Sequence, residues 1–318
     1  MMPTILISGA GQLGSRYLQG LAKCRMPLKI YVQDIYKESL DRASQRWNEV
    51  VGPETYHEVS FHTSFESLPG HVDIAIVATT ADVRPRVVGE IASVAGVRYW
   101  VLEKVLAQSE SGLDEIISHM GGSHGAWVNT ARRMMPLHQQ IKAQLDFNQP
   151  ITLKVEGGLW GLACNSVHFL DLLAWWTGEN LDYVCTDQLN LNWFESKRHG
   201  FWEVLGTLEA RYSGGSRALI SSREESITMS LEASYGQLSW HINEAEGLAK
   251  RSDGIEIQGR ITHQSERSAG LVEDILDSGS CCLPTLQESV ALHRVFIRCM
   301  LEHWQRSGNP SATFVPIT

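Results

Sequence analysis

Two periods of apolar residues take turns along the first part of this chain. Thr4–Ser8 (TILIS), Leu28–Gln33 and Val72–Thr79 (VDIAIVAT) are short apolar runs, nearly continuous as in strands covered on both faces. Glu58–Thr63, Tyr99–Glu103 (YWVLE) and Ala126–Asn129 (AWVN) read as further strands. Between them Ser15–Ala22, Lys37–Val50 and Leu113–Met120 read as helices. Asp82 is placed to cap one more, with Pro85 in its first turn. Strand and helix in regular succession predict a doubly wound parallel sheet with right-handed crossovers. The ligand of such a sheet lies across the carboxyl ends of its strands. Thr79, Thr80, Glu103, Lys104 and Asn129 all occupy such ends.

The pattern changes after Pro136. One helix, Leu137–Leu145, leads to a strand at Ile151–Gly157 and a short apolar helix around Val167–Trp176, stopped by Gly178. Strand-like runs follow at Leu181–Leu191, Val204–Tyr212, Arg217–Ser222, Ser226–Ala233, Gly236–Ile242 and Gly254–Gln258. Helices at Gly270–Asp277 and Thr285–Arg306 and a strand-like Thr313–Ile317 close the chain. The expectation is an α/β protein, with a Rossmann sheet over residues 1–130 and an α+β domain over 131–318. The second domain should hold a large, mainly antiparallel open sheet. A length of 318 residues suits two domains, being more than one core usually serves.

The first strand runs into Gly9-Ala10-Gly11-Gln12-Leu13-Gly14, and Asp34 ends the second strand. Gly9 permits a tight turn, Gly11 lets the backbone approach a pyrophosphate, and Gly14 brings helix and strand together. The following helix start offers free N–H groups to an anion. With a strand before, a helix after and an acid at the end of the next strand, the turn reads as a dinucleotide site. A carboxylate at Asp34 accepts from ribose hydroxyls and repels a 2′-phosphate, so NAD is expected. Lys37 keeps NADP as the alternative.

A net charge of −9 argues against nucleic acid or anionic membrane as a general partner. No apolar run reaches the ~20 residues of a membrane-spanning helix. The first strand begins at once, which leaves no room for a signal peptide. Cysteines at 24, 164, 185, 281, 282 and 299 show no paired metal spacing. A cytoplasmic protein with reduced thiols and no metal is expected.

Four features together resemble the glucose–fructose oxidoreductase / inositol dehydrogenase (Gfo/Idh/MocA) family. They are the AGQLG turn, ATTADVR after the fourth strand, Glu103-Lys104-Val105, and the helix bearing NSVHFLD; the spacing of Asn129, Arg132 and Pro136 agrees. The resemblance implies a nicotinamide cofactor, a sugar, polyol or nucleotide-sugar substrate, and an open sheet that often packs against a partner subunit. A homodimer or homotetramer follows from it. The chain departs from the family's usual pattern at Val105 and Thr80, where proline is common. Arg84 replaces a common histidine, Ser166 the usual glycine, and Cys164 an aspartate that many of its dehydrogenases place four residues before the helix histidine.

Oxidising a secondary alcohol needs a base for the hydroxyl proton while hydride leaves. His168 is the candidate, expected near the start of its helix with Asn165 or Ser166 as cap. There the positive helix end would hold the imidazole neutral. Asp171, at i+3, is placed to orient the ring or bind a hydroxyl. Lys104 is the candidate donor to the reacting oxygen, and Glu103 would position it or the nicotinamide ribose. Arg132 and Arg198 are candidate clamps for an anionic sugar derivative. Trp160, with Trp193 and Trp202, could stack on a sugar ring, and Asn165 completes the substrate set. The alternative is a catalytically silent relative that binds dinucleotide as a sensor or assembly partner, which Cys164 supports.

Overall fold

In a computed structural model of the chain, residues 2–52, 55–146 and 149–318 are described. They cluster into two compact units, neither continuous in sequence. The first takes residues up to Leu106, Ser111–Asn129 and Thr262–Leu286; the second takes Ala107–Glu110, Thr130–Ile261 and Gln287–Thr318.

Strands β1 (Thr4–Ser8), β2 (Lys29–Gln33), β3 (Glu58–His62), β4 (His71–Val77), β5 (Gly96–Leu102) and β6 (Gly125–Val128) form a parallel sheet in the order β3-β2-β1-β4-β5-β6. Helices α1 (Gln12–Leu21), α2 (Lys37–Asn48), α3 (Arg84–Val94) and α4 (Glu110–Ser118) alternate with them. Ile5, Leu6, Ile7, Ile74, Ala75 and Ile76 are fully buried, as strands covered on both faces require. The strand order reverses between β1 and β4, and the crevice at such a point is where ligands bind.

The ladder runs past the strand ends and lines up the residues there. Gly9 N–H donates to the Gln33 carbonyl at 2.8 Å, Ala78 N–H to Ser8 at 2.8 Å, Glu103 N–H to Val77 at 3.1 Å, and Asn129 N–H to Leu102 at 2.8 Å. Asp82 does not cap α3. Val83 is its N-cap, with no side-chain cap bond, and Asp82 lies one residue too early.

The second unit contains β7 (Thr152–Gly157), β8 (Leu181–Leu189), the two-residue pair β9 (Phe194–Glu195) and β10 (Trp202–Glu203), β11 (Gly206–Tyr212), β12 (Arg217–Ser222), β13 (Ser230–Tyr235), β14 (Leu238–Asn243), β15 (Leu248–Arg251) and β16 (Glu256–Gln258). Eight of these form one sheet in the order β16-β15-β14-β13-β7-β12-β11-β8. Only β7 and β12 in it are parallel. A tight helical turn (Ala131–Met134) and α5 (Pro136–Lys142) precede β7, and α6 (Leu162–Thr177) follows it. Helix α6 ends at Gly178, whose φ of +73° needs glycine. Thr313–Ile317 is not a strand; its backbone bonds go to separate segments, Val315 N–H to the Gln108 carbonyl at 3.0 Å and Trp202 N–H to the Pro316 carbonyl at 2.8 Å, and Pro316 has no N–H to give.

Helix α7 (Gln264–Ser278) belongs to the first unit and packs on α1. A Cβ on Gly20 would stand 2.6 Å from the Ser268 Cβ, so this helix pair depends on glycine at 20. Helix α8 (Leu286–Arg306) follows. Among the described residues no helix is long and apolar enough to cross a membrane.

Candidate functional site

In the first unit the chain turns sharply after β1. Gly9 has φ of +90°, and a Cβ on it would stand 2.9 Å from the Thr79 nitrogen. A Cβ on Gly14 would stand 1.7 Å from the Gly9 carbonyl oxygen. Gly11 is different. It is the N-cap of α1 with φ of −63°, and a Cβ there would meet nothing within 4 Å. No side chain caps this helix start, and Gln12 and Leu13 are exposed beside it. Free N–H donors and the positive helix end therefore face the space that Gly11 leaves open. That is an anion cradle of the kind a pyrophosphate uses.

Asp34 is fastened at the rim of the cradle. Its Oδ2 accepts from the Ala10 N–H at 2.7 Å and its Oδ1 from the Tyr36 N–H at 2.9 Å. Arg46 of α2 reaches the same rim, donating to Gln12 Oε1 at 2.7 Å and to Ser15 Oγ. Nothing in the local pattern around Arg46 marks it, because on α2 it reads as a solvated arginine.

Beyond β5 and β6 a buried polar network forms. The Tyr17 hydroxyl donates to Glu103 Oε1 at 2.7 Å, and Asn129 Nδ2 donates to the same oxygen at 2.6 Å. Asn129 Nδ2 also reaches Gln264 Oε1 at 2.9 Å. Burial pushes the Glu103 carboxyl above its ordinary range and the Tyr17 phenol well above its own. Thr79 Oγ1 and Asn129 Oδ1 are buried with no hydrogen-bond partner among the described residues. Atoms of that kind take a water or a ligand, which fits a bound dinucleotide.

Arg84, 1% exposed, ties the ends of β4 and β5 together. It donates to the carbonyls of Thr79 and Val105 and to that of Leu106 at 3.0 Å. Lys104 stands half-buried between Glu103 and this clamp, and the Lys104–Val105 peptide is cis. Thr80 opens the turn into α3, accepting from the Arg84 N–H at 3.1 Å.

The raised Glu103 carboxyl has a measurable consequence. A carboxyl raised on folding favours the fold while protonated, and that contribution is lost as pH rises through the folded value. Glu103→Gln keeps an acceptor for Tyr17 and Asn129 and carries no charge. Its melting temperature should rise relative to the wild-type chain between acid and neutral pH. A difference that is flat with pH in thermal melts would contradict the raised carboxyl.

In the second unit, α6 is longer than the sequence suggests and begins earlier. Its N-cap is Gly161, φ +81°, so Asn165 and Ser166 are helical residues rather than caps. Asn165 Nδ2 donates to the Trp160 carbonyl at 3.0 Å and Ser166 Oγ to the Leu162 carbonyl at 2.6 Å. His168 therefore lies in the second turn, where the effect of the helix end has faded. Gly161, Cys164, Asn165 and His168 are half-exposed, spaced three or four apart on one side of a largely buried helix.

Asp171 is not on that accessible face. It is 2% exposed; Arg133 holds both its oxygens at 2.9 and 2.6 Å, and the Thr130 hydroxyl donates to Oδ2 at 2.7 Å. It anchors α6 and is committed to Arg133. Arg132 is equally committed: it pairs with both Glu244 oxygens at 2.7 Å and lies over the Phe169 ring at 4.0 Å. His138 shares Glu244, whose carboxyl is held well below its ordinary range by Arg132 and His138 against the cost of burial.

Trp160 is half-exposed beside Gly161, its indole donating to the Ser221 carbonyl at 2.9 Å. Trp193 and Trp202 instead pack on Trp304, and the Trp193 indole donates to His303. Arg198 lies in the exposed turn between β9 and β10.

Sequence reasoning missed Glu203. This β10 carboxylate is 5% exposed and sits on the first turn of α6, Oε2 accepting from the Ala163 N–H at 2.7 Å and Oε1 from the Cys164 N–H at 3.3 Å. A Cβ on Gly161 would stand 2.9 Å from Glu203 Oε1, so the glycine makes room for the acid. A lone acid in FWEV, forty positions from its partners, carries no local signal.

No protein-family model and no curated protein matches the chain. Solved structures do. It is similar over 95% of its length, and 96% of the other chain, to UDP-N-acetylglucosamine 3-dehydrogenase from Acidithiobacillus ferrooxidans, at 16% identity and a TM-score of 0.69. An oxidoreductase from Agrobacterium radiobacter, solved in complex with NAD+, L-tartaric acid and magnesium, matches over 96% of both chains at 12% identity and a TM-score of 0.72. Myo-inositol 2-dehydrogenase from Lactobacillus plantarum matches over 98% of both at 16% identity and 0.67. The chain has the fold of these oxidoreductases. A chain of this fold can differ in every reacting group, so its chemistry is argued from the residues above.

Proposed function

We propose that the chain is an NAD-dependent oxidoreductase acting on a secondary alcohol or ketone of a sugar, sugar acid or nucleotide sugar. What carries this reading is the uncapped helix start opened by Gly11, with the Asp34 carboxylate fastened at its rim. Gly11, Gln12 and Leu13 would hold the pyrophosphate and Asp34 the adenosine ribose. Thr79, Thr80, Glu103 and Asn129 would take the polar groups of the remaining half. The bound cofactor would supply the hydride acceptor.

In oxidation the hydroxyl proton passes to the His168 imidazole, the C–H electron pair leaves as hydride, and the C–O bond becomes a carbonyl. Lys104, at the end of β5, would supply a donor for negative charge developing on an oxygen. The sugar-like class is supported by the names of the structural neighbours, two of which are dehydrogenases of a nucleotide sugar and of inositol. Because Arg132 and Arg133 are paired with Glu244 and Asp171, recognition of an anionic substrate falls to Arg198. Self-association of the chain and a cytoplasmic location complete the reading.

A catalytically silent dinucleotide-binding protein is the competing reading, favoured by Cys164 in place of an acid. Calorimetry tests the cofactor part. NADH should bind at least about tenfold more tightly than NADPH, a difference of ~1.4 kcal/mol. Asp34→Asn, which removes the repulsion of a 2′-phosphate, should narrow that gap. Equal or tighter binding of NADPH to the wild-type chain would overturn the assignment of NAD, and no binding of either would overturn the whole reading.

A further inference from the structure

Most of α6 is buried, and its first turn would be a poor place for a charge. Yet a nearly enclosed carboxylate, that of Glu203, sits there on the Ala163 and Cys164 N–H groups. Gly161, with a positive φ and no Cβ, leaves the space it occupies. His168 is four residues beyond Cys164, one helical turn or roughly 6 Å along the axis. We propose that Glu203 is the positioning residue for His168, its charge making the imidazole a better acceptor of the substrate hydroxyl proton. The proposal rests on the reading of His168 as the base.

The sign follows from electrostatics. A carboxylate held on the first turn, one helical turn from the ring, attracts the imidazolium and so favours the protonated form. The other charged groups on elements packed against α6 are engaged with partners of their own. Arg132 pairs with Glu244, Arg133 with Asp171 and Glu288, and His138 with Glu244. Lys142 donates to the Trp175 carbonyl, and Arg217, at the start of β12, donates to Thr152 Oγ1. Glu203 is the acid held on the first turn itself.

A simple helix cap and a charge partner predict opposite orders for two variants. Gln at 203 keeps the length and one acceptor but loses the charge; Asp keeps the charge but is shorter. If charge matters, Glu203→Gln lowers the NMR titration midpoint of His168 by about 0.5–1 pH unit, and Glu203→Asp leaves it near the wild-type value. The acid limb of kcat/KM moves with the midpoint, while NADH affinity stays unchanged. An unmoved midpoint in the Gln variant, with Asp the more damaging change, makes Glu203 a cap and overturns the proposal. Should the Gln variant not fold, the Asp variant decides: a His168 midpoint lowered by about half a unit or more overturns it. The titration is read on the protein without substrate. An absence of turnover would therefore defeat the oxidoreductase reading while the coupling of Glu203 to His168 was still decided.

Discussion

Gly14→Ala should cost the chain about 3 kcal/mol and lower its melting temperature by roughly 6–12 °C. The added methyl would stand 1.7 Å from the Gly9 carbonyl oxygen, and the groups in the way are backbone. Neither can move aside by a rotamer change, so α1 must shift away from the end of β1. That shift opens the cradle, and NADH binding should be lost with the stability. Gly11→Ala provides the contrast, because its methyl would meet nothing within 4 Å and its φ of −63° suits any residue. It should melt like the wild-type chain and still bind NADH more weakly, since the methyl fills the space for the phosphates. Thermal denaturation and calorimetry on the pair separate the two roles. A Gly14→Ala chain with unchanged melting and undiminished NADH affinity would contradict the geometry of the turn.

That turn was readable in the sequence because its signals are local. VDIAIVAT declares a buried parallel strand, and three glycines between a strand and a helix declare what the backbone must do there. The substrate half was harder to read for a physical reason. The start of α6 was expected near Val167, with Asn165 or Ser166 as cap, because those residues commonly play that part. The helix begins at Leu162 instead, and the carboxylate on its first turn comes from Glu203. Asp171 shares that history. Its i+3 spacing from His168 suggested a partner for the ring, but Arg133 and Thr130 enclose it. Partners brought by a distant strand or turn leave no mark on helical periodicity. The β9–β10 pair leaves no sign in the sequence because runs of two residues hold no alternation to count. Gly20 tells the same story, since its need for glycine comes from α7, remote in sequence.

The second large effect is expected at His168. It stands half-exposed on the accessible side of α6, and no other histidine shares that face. Replacing it with asparagine removes the proton acceptor while keeping a polar side chain of similar reach. General-base loss of this kind lowers kcat by about a thousandfold. Stability should change by about 1 kcal/mol, the usual size for a single substitution. NADH affinity should be unchanged, because the cradle is built from other residues in the first unit. A silent relative predicts otherwise: no turnover to lose, and an effect of His168→Asn confined to stability.

The most direct measurement follows NADH formation by absorbance. The wild-type chain and His168→Asn are each given NAD with a panel of cyclitols, sugar acids and nucleotide sugars. The account predicts turnover of at least one of these by the wild-type chain, and its collapse in the variant with NADH binding intact. Tight NADH binding without turnover of any substrate, or equal turnover in the variant, would contradict it.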